Sequence, residues 1–261
     1  MKYTIYQVDA FASQLFSGNP AAVVPLTQWL SDDLLQKIAA ENNLSETVYY
    51  IIKDDVIEIR WFTPGAEVDL CGHATLATAY VLKNCEGFTG QVIPFYSHRS
   101  GHLPVTIHED SFTMNFPCDI ITEVELTDEL KHTSNKEPLK AFKGKTDYML
   151  VFEKQSDISS MQPNLSAIEK LQARGLIVTA KGEDCDFVSR FFGPQCGVNE
   201  DPVTGSAHTT LTPYWSSVLN KHDFTARQLS ARSGDLLCTL TGDRVEITGK
   251  AVLFMKGEIS L

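Results

Sequence analysis

The sequence predicts an α+β protein built from two similar, duplicated domains, and three observations lead there. Short alternating runs typical of half-buried strands are spread over the whole chain. One helical segment is apolar on every side. An Arg–aromatic–Phe–x–Pro string occurs twice, in corresponding places of the two halves.

In the first half, Val56–Trp61 alternates with Ile57, Ile59 and Trp61 on one face, and Ser111–Phe116 does the same with Phe112, Met114 and Phe116. Leu103–Ile107 precedes the latter, and Glu109-Asp110 suits a hairpin tip. A helix is expected between Ser31 and Asn43. Ser31 is placed to cap it, Asp32 and Asp33 suit its positive end, and Leu34, Leu35 and Ile38 supply an apolar face. From Gly72 to Leu82 only Thr75 and Thr78 break an apolar surface, so this helix should run through the middle of its domain.

The second half repeats the pattern, with extended stretches at Tyr148–Phe152, Leu176–Val178 and Phe187–Phe192. Leu236–Leu240 and Val245–Ile247 follow, joined by a Gly242-Asp243 turn. Pro117 and the polar stretch Asp128–Lys145 mark a boundary. The expected domains are residues 1–118, joined by a last strand at about 250–261, and residues 119–249.

The repeat is specific. Arg60-Trp61-Phe62-Thr63-Pro64 matches Arg190-Phe191-Phe192-Gly193-Pro194. Each string leads through an acidic loop to a small-residue helix start, at Gly72-His73-Ala74 and at Gly205-Ser206-Ala207. A short insertion in the second copy aligns them. If both helices start at one cleft between the halves, their unpaired N–H groups would cradle a carboxylate there. Pro213 leaves two readings of the second helix, as a kink inside it or as its first turn.

Composition narrows the function classes. A net charge of −11 argues against nucleic acid or an anionic membrane as the main partner. No apolar run reaches the roughly 18 residues of a membrane span. Met1–Tyr6 enters strand-like sequence without a signal-peptide pattern, so a cytoplasmic location is expected. Six scattered cysteines lack C-x-x-C pairing, which predicts neither a disulfide framework nor a metal site.

Glu46 stands at a helix-to-strand corner, a rigid place from which one carboxyl can serve as a general acid/base. His73, Asp201 and Ser206 lie within a few residues of the two helix starts, and Gly72 and Gly205 allow a ligand close to the backbone. Taken singly, each has an ordinary structural role: a solvated glutamate, a capping histidine, a turn aspartate.

Several blocks together resemble the phenazine-biosynthesis PhzF-like family. They are Asp9-Ala10-Phe11, Gly18-Asn19-Pro20-Ala21-Ala22-Val23-Val24, Ser45-Glu46-Thr47, Leu70-Cys71-Gly72-His73-Ala74-Thr75 and Glu200–His208, in the family's order. The resemblance implies a diaminopimelate-epimerase-like fold: two similar domains, each a curved, mostly antiparallel or mixed sheet wrapped around a central helix. It also implies a homodimer with no metal or organic cofactor. By the same resemblance Glu46 transfers a proton on a small carboxylate-bearing substrate, and Gly72, His73, Asp201, Gly205 and Ser206 bind it. The related epimerases use two cysteines as paired bases. Here Cys71 has no second cysteine in the Glu200–His208 block, which favours single-carboxyl isomerisation over two-thiol racemisation. An epimerase or dehydratase on the same scaffold, or a non-catalytic ligand-binding protein, are the alternatives.

Overall fold

The alternating runs become strands throughout residues 1–261, all of which the computed structural model describes. The chain divides into two units, Met1–Asn115 with Thr248–Leu261, and Phe116–Ile247.

The first unit contains β1 (Lys2–Ala10), β2 (Asn19–Leu26), α1 (Asp32–Asn42), β3 (Glu46–Lys53), β4 (Val56–Phe62), β5 (Glu67–Val68), α2 (Gly72–Asn84), β6 (Val92–Ser97) and β7 (Gly101–Ile107). β8 (Phe112–Pro117) follows, and the C-terminal strand Ala251–Ser260 returns to pair antiparallel with β1. The sheet is mixed: β1/β2 antiparallel, β2/β3 parallel, β3/β4 antiparallel, β4/β6 parallel, β6/β7 and β7/β8 antiparallel. Its central helix is α2, buried along nearly its whole length from His73 to Leu82. Its two buried threonines are satisfied locally, Thr75 Oγ1 donating to the Cys71 carbonyl (2.6 Å) and Thr78 Oγ1 to that of Ala74 (2.8 Å). On α1, Leu35, Ile38 and Ala39 pack with Val24, Tyr49 and Phe62 into a second core. Ser31 holds the N-cap position of α1, but its carbonyl rather than its side chain accepts the first helical hydrogen bonds, from Leu34 and Leu35.

The second unit contains β9 (Thr122–Val124), α3 (Asp128–Lys131), β10 (Lys140–Lys143), β11 (Asp147–Val151), α4 (Gln155–Ser159), α5 (Leu165–Ile168), β12 (Gly175–Lys181), β13 (Phe187–Gly193), β14 (Val198–Asp201), α6 (Gly205–Leu219), β15 (Asp223–Gln228) and β16 (Gly234–Thr241). The strand Arg244–Gly249 then leads to the C-terminal one. The stretch Asp128–Lys145, polar in sequence, is no linker. Leu130, Ala141 and Phe142 are buried in this unit, while Leu139 is exposed.

Strand pairing repeats that of the first unit: β9/β10 and β10/β11 antiparallel, β11/β12 parallel, β12/β13 antiparallel, β13/β15 parallel, β15/β16 antiparallel. The registers correspond as well. Thr47 faces Phe62 as Leu176 faces Phe192, and Tyr49 faces Arg60 as Val178 faces Arg190. The repeated string acquires a physical cause. Arg60 clasps Glu67 through Nε and Nη2 at 2.7 and 2.9 Å, and Arg190 clasps Glu200 at the same two distances. Each guanidinium also lies over its own Phe, at 5.1 Å from Phe62 and 4.9 Å from Phe192. Each unit is thus a mixed sheet around a central helix, braced at the same corner.

α6 starts at Gly205, with Pro213 inside it. Proline lacks an N–H, so the carbonyl four residues earlier is released from the helix. That carbonyl, on Thr209, accepts instead from the Asp119 N–H at 3.2 Å.

Candidate active site

Glu46 owes its position to the end of α1. Asn43 adopts the left-handed conformation (φ 49°), closing the helix with its N–H on the Ala39 carbonyl, and the chain then turns into β3. Glu46 is the first residue of β3, locked beside Ala21 of β2 in the parallel ladder. Asn42 Nδ2 donates to Thr47 Oγ1 at 3.0 Å and fixes the corner.

The start of α2 brings His73 to this corner. Its Nε2 lies 3.0 Å from Glu46 Oε2, yet off the line a hydrogen bond requires, so both buried atoms lack a hydrogen-bond partner. On the other side of the ring, Nδ1 faces Cys71 Sγ at 3.4 Å and Asn19 Nδ2 at 3.2 Å. Asn19 is delivered by a tight entry into β2. Gly18 has φ +69°, and a Cβ there would lie 2.2 Å from the Ala10 carbonyl oxygen, so only glycine fits.

Electrostatics separate the three groups. Burial, reinforced by the Glu46 carboxylate, pushes the Cys71 thiol up to about 11, so at neutral pH it is protonated and no base. Burial by itself would lower the His73 imidazolium. The Cys71 sulfur, as an acceptor for the ring N–H, and the Glu46 carboxylate oppose it and hold His73 well above its ordinary value. A buried imidazolium therefore faces the one carboxylate of the corner. One ligand atom each from Glu46, Cys71 and His73 lie within 4.8 Å of one another, a grouping compatible with a metal. The ring presents Nε2 to Glu46 and Nδ1 to Cys71.

In the second unit, Asp201 ends β14 and accepts from Thr204 Oγ1 at 2.6 Å. Gly205 and Ser206 open α6, Gly205 buried and Ser206 exposed. The loop between them is clamped by the fully buried Gln228, whose Nε2 donates to the Asp201 carbonyl (2.7 Å) and whose Oε1 accepts from the Thr204 N–H (2.9 Å). Arg174 Nη2 donates to Ser206 Oγ at 3.0 Å. Its fork is held by Asp147, with Nε on Oδ1 at 2.9 Å and Nη2 on Oδ2.

The structure thus gathers Glu46, Gly72 and His73 around one corner of the first unit, and Asp201, Gly205 and Ser206 around the corresponding loop of the second. Sequence reasoning gave no role to Asn19, Gln228, Arg174 or Asp147. Asn19 carried a signal, lying inside the conspicuous Gly18–Val24 block. The other three carried none, since each meets its partner only through the strand ladder.

The chain matches the phenazine biosynthesis-like protein family, PhzC-PhzF, over residues 8–257. Two proteins of Pseudomonas aeruginosa, each named an uncharacterised isomerase, are 48% identical to it over 100% of both chains. A crystal structure of a PhzF-family phenazine biosynthesis protein from Enterococcus faecalis superposes with a TM-score of 0.97 at 43% identity, covering 100% of each chain. A hydroxyproline epimerase from Agrobacterium vitis, 8% identical, shares the fold alone, with a TM-score of 0.64 over 100% of this chain and 93% of the other. With its family blocks spread along the whole length and full-length isomerases as relatives, the chain belongs to the phenazine biosynthesis-like PhzC-PhzF family as one of its isomerases.

Proposed function

We propose that the protein is a cofactor-independent isomerase that shifts a proton on a small carboxylate-bearing metabolite, with Glu46 as the general acid/base. The observation that carries this reading is the approach of Glu46 Oε2 to His73 Nε2, two buried atoms that lack hydrogen-bond partners within the protein. Buried polar atoms without partners are costly, and they accumulate where a ligand completes the bonding. In the step proposed, the Glu46 carboxylate removes a proton from one carbon of the substrate and the electron pair delocalises into the adjoining unsaturated system. The same carboxyl then returns the proton to another carbon, so no oxidant or second base is needed. His73 stays as the imidazolium that steadies the carboxylate. Gly72, Asp201, Gly205 and Ser206 hold the substrate's polar groups.

Cys71 speaks against the epimerase alternative, because its thiol is held protonated and Thr204 stands where a second cysteine would be needed. The cysteines are all free, and no helix is long and apolar enough to cross a membrane. We place the enzyme in the cytoplasm, as a homodimer, to be checked by analytical ultracentrifugation.

The test is incubation with a metabolite extract in D2O, reading deuterium by mass spectrometry. One compound should gain deuterium, and Glu46→Gln should slow that gain by roughly 10²–10⁴-fold. Equal incorporation by wild type and Glu46→Gln would remove Glu46 from the role.

A further inference from the structure

The duplication assigns each corner of the first unit a counterpart in the second. Glu46 opens β3 one residue before the Thr47–Phe62 pair, and Gly175 opens β12 one residue before the Leu176–Phe192 pair. The counterpart of the carboxylate is therefore a glycine. Nor does the site tolerate a side chain there, since a Cβ on Gly175 would lie 2.4 Å from the Phe191 ring and 2.8 Å from the Phe192 carbonyl oxygen. Where Glu46 meets His73, the second unit instead brings the guanidinium of the preceding residue, Arg174, to Ser206.

The hydrogen bonds around that guanidinium have a direction. An arginine only donates, so the Ser206 oxygen must accept from it, and the Ser206 O–H proton is left to point elsewhere. Ser206 is exposed, so it points outward. Asp147, itself buried, takes the Nε edge and one Nη2 proton, while Nη1 has no hydrogen-bond partner in the chain. The ring of Phe191, 5.2 Å from the guanidinium carbon, covers one face of the group. What remains available is one unused N–H edge beside one oriented O–H, two donors and no acceptor.

We propose that Arg174, held by Asp147, sets Ser206 as a donor and forms with it the subsite that grips the carboxylate of the substrate. This rests on reading the substrate as a carboxylate. Two features favour a single carboxylate over a dianion. Asp147 already offsets the Arg174 charge, and the Asp201 carboxylate also bears on it. The subsite thus offers directed donors with little net positive charge, which suits a planar monoanion and disfavours sulfate or phosphate. Arg174 is a positioning residue with respect to Ser206 and makes a direct contact through Nη1.

The experiment titrates sodium acetate, with sodium sulfate as comparison, into ¹⁵N-labelled protein and follows the amides of Gly205, Ser206 and Ala207. Wild type and Glu46→Gln should show the same saturable acetate shifts, with sulfate weaker. Ser206→Ala, which leaves the Arg174–Asp147 pair intact, should weaken acetate by about tenfold or more, the effect of losing one charge-assisted hydrogen-bond system. Arg174→Gln should do likewise, and Arg174→Lys should restore part of the affinity. If Arg174→Gln leaves Asp147 stranded and the spectrum collapses, the paired Arg174→Gln/Asp147→Asn variant takes its place. Saturation that is unchanged in both the Ser206 and Arg174 variants overturns the proposal. So does sulfate binding tighter than acetate, or wild type showing no saturation. Failure of the Glu46 reading would look different: deuterium incorporation would persist in Glu46→Gln while acetate binding still depended on Arg174.

Discussion

The His73 imidazole sits between a carboxylate and a thiol, 3.0 Å from Glu46 and 3.4 Å from Cys71, and it is held well above its ordinary titration range. In the unfolded chain a histidine titrates near ~6.5. In the fold His73 titrates higher, so its contribution to stability is fully present below pH ~6.5 and is lost as pH rises through the folded value. We expect the wild-type melting temperature to fall on the alkaline side of neutrality more steeply than that of His73→Gln, as read by calorimetry across pH 6–10. Parallel curves would show that His73 carries no such proton.

His208 behaves in the opposite sense. It is fully buried in α6, its Nδ1–H donates to the Thr204 carbonyl at 2.9 Å, and its Nε2 has no hydrogen-bond partner. Burial pushes it down to about 4. Below pH ~6.5 the unfolded histidine takes a proton that the folded one refuses, so stability declines as pH falls from ~6.5 to ~4, by on the order of 3 kcal/mol. Thr75 holds the equivalent place in α2 and bonds the carbonyl four residues back in the same way. His208→Thr should therefore flatten the acid limb in urea titrations, while lowering stability near neutral pH through the cavity it leaves.

Gly175→Ala should destabilise by about 1–3 kcal/mol, since overpacking against Phe191 and the Phe192 carbonyl forces backbone movement. Gly175→Glu, which would copy the Glu46 corner, should fail to fold. A melting temperature within a degree of wild type for Gly175→Ala would contradict the close packing.

The two Arg–Glu clasps should weigh similarly. Glu67 keeps a second guanidinium, Arg99 Nη2 at 2.9 Å, when Arg60 is removed, whereas removing Arg190 leaves the half-buried Glu200 carboxylate without its cation. Arg190→Ala, which also frees the Ile158 and Met161 carbonyls, should cost about 3–5 kcal/mol and Arg60→Ala somewhat less, by chemical denaturation. Arg60→Lys should recover only part, because one ammonium cannot span both carboxylate oxygens.

How much of this was legible beforehand follows from the range of each interaction. The α2 helix announced itself because a helix surrounded by sheet must be apolar all round, and between Ala74 and Leu82 only two threonines interrupt it. The Arg60 and Arg190 strings announced the duplication because each clasp closes within a short stretch of chain. Glu46 was visible as a corner residue between α1 and β3. Arg174 was not, because its meaning depends on β11 and β12 lying parallel, which places Asp147 beside Gly175. The side-chain cap expected of Ser31 is not made, since its backbone carbonyl already serves the first turn. The polar look of Asp128–Lys145 hid α3 and β10, whose cores are one or two residues wide.

The repeated clasp has a consequence for how the two halves can change. A half-length chain working in identical copies must place the same residue at every equivalent position, so any improvement to one corner is imposed on the other. Joining two copies in a single reading frame lifts that constraint. The scaffold positions, Arg60 with Glu67 and Arg190 with Glu200, have stayed alike, while Glu46 and Gly175, or His73 and Ser206, have parted. Mutational libraries for new substrates are therefore best concentrated on the second half's corner, where specificity can drift without touching the residue proposed to move the proton.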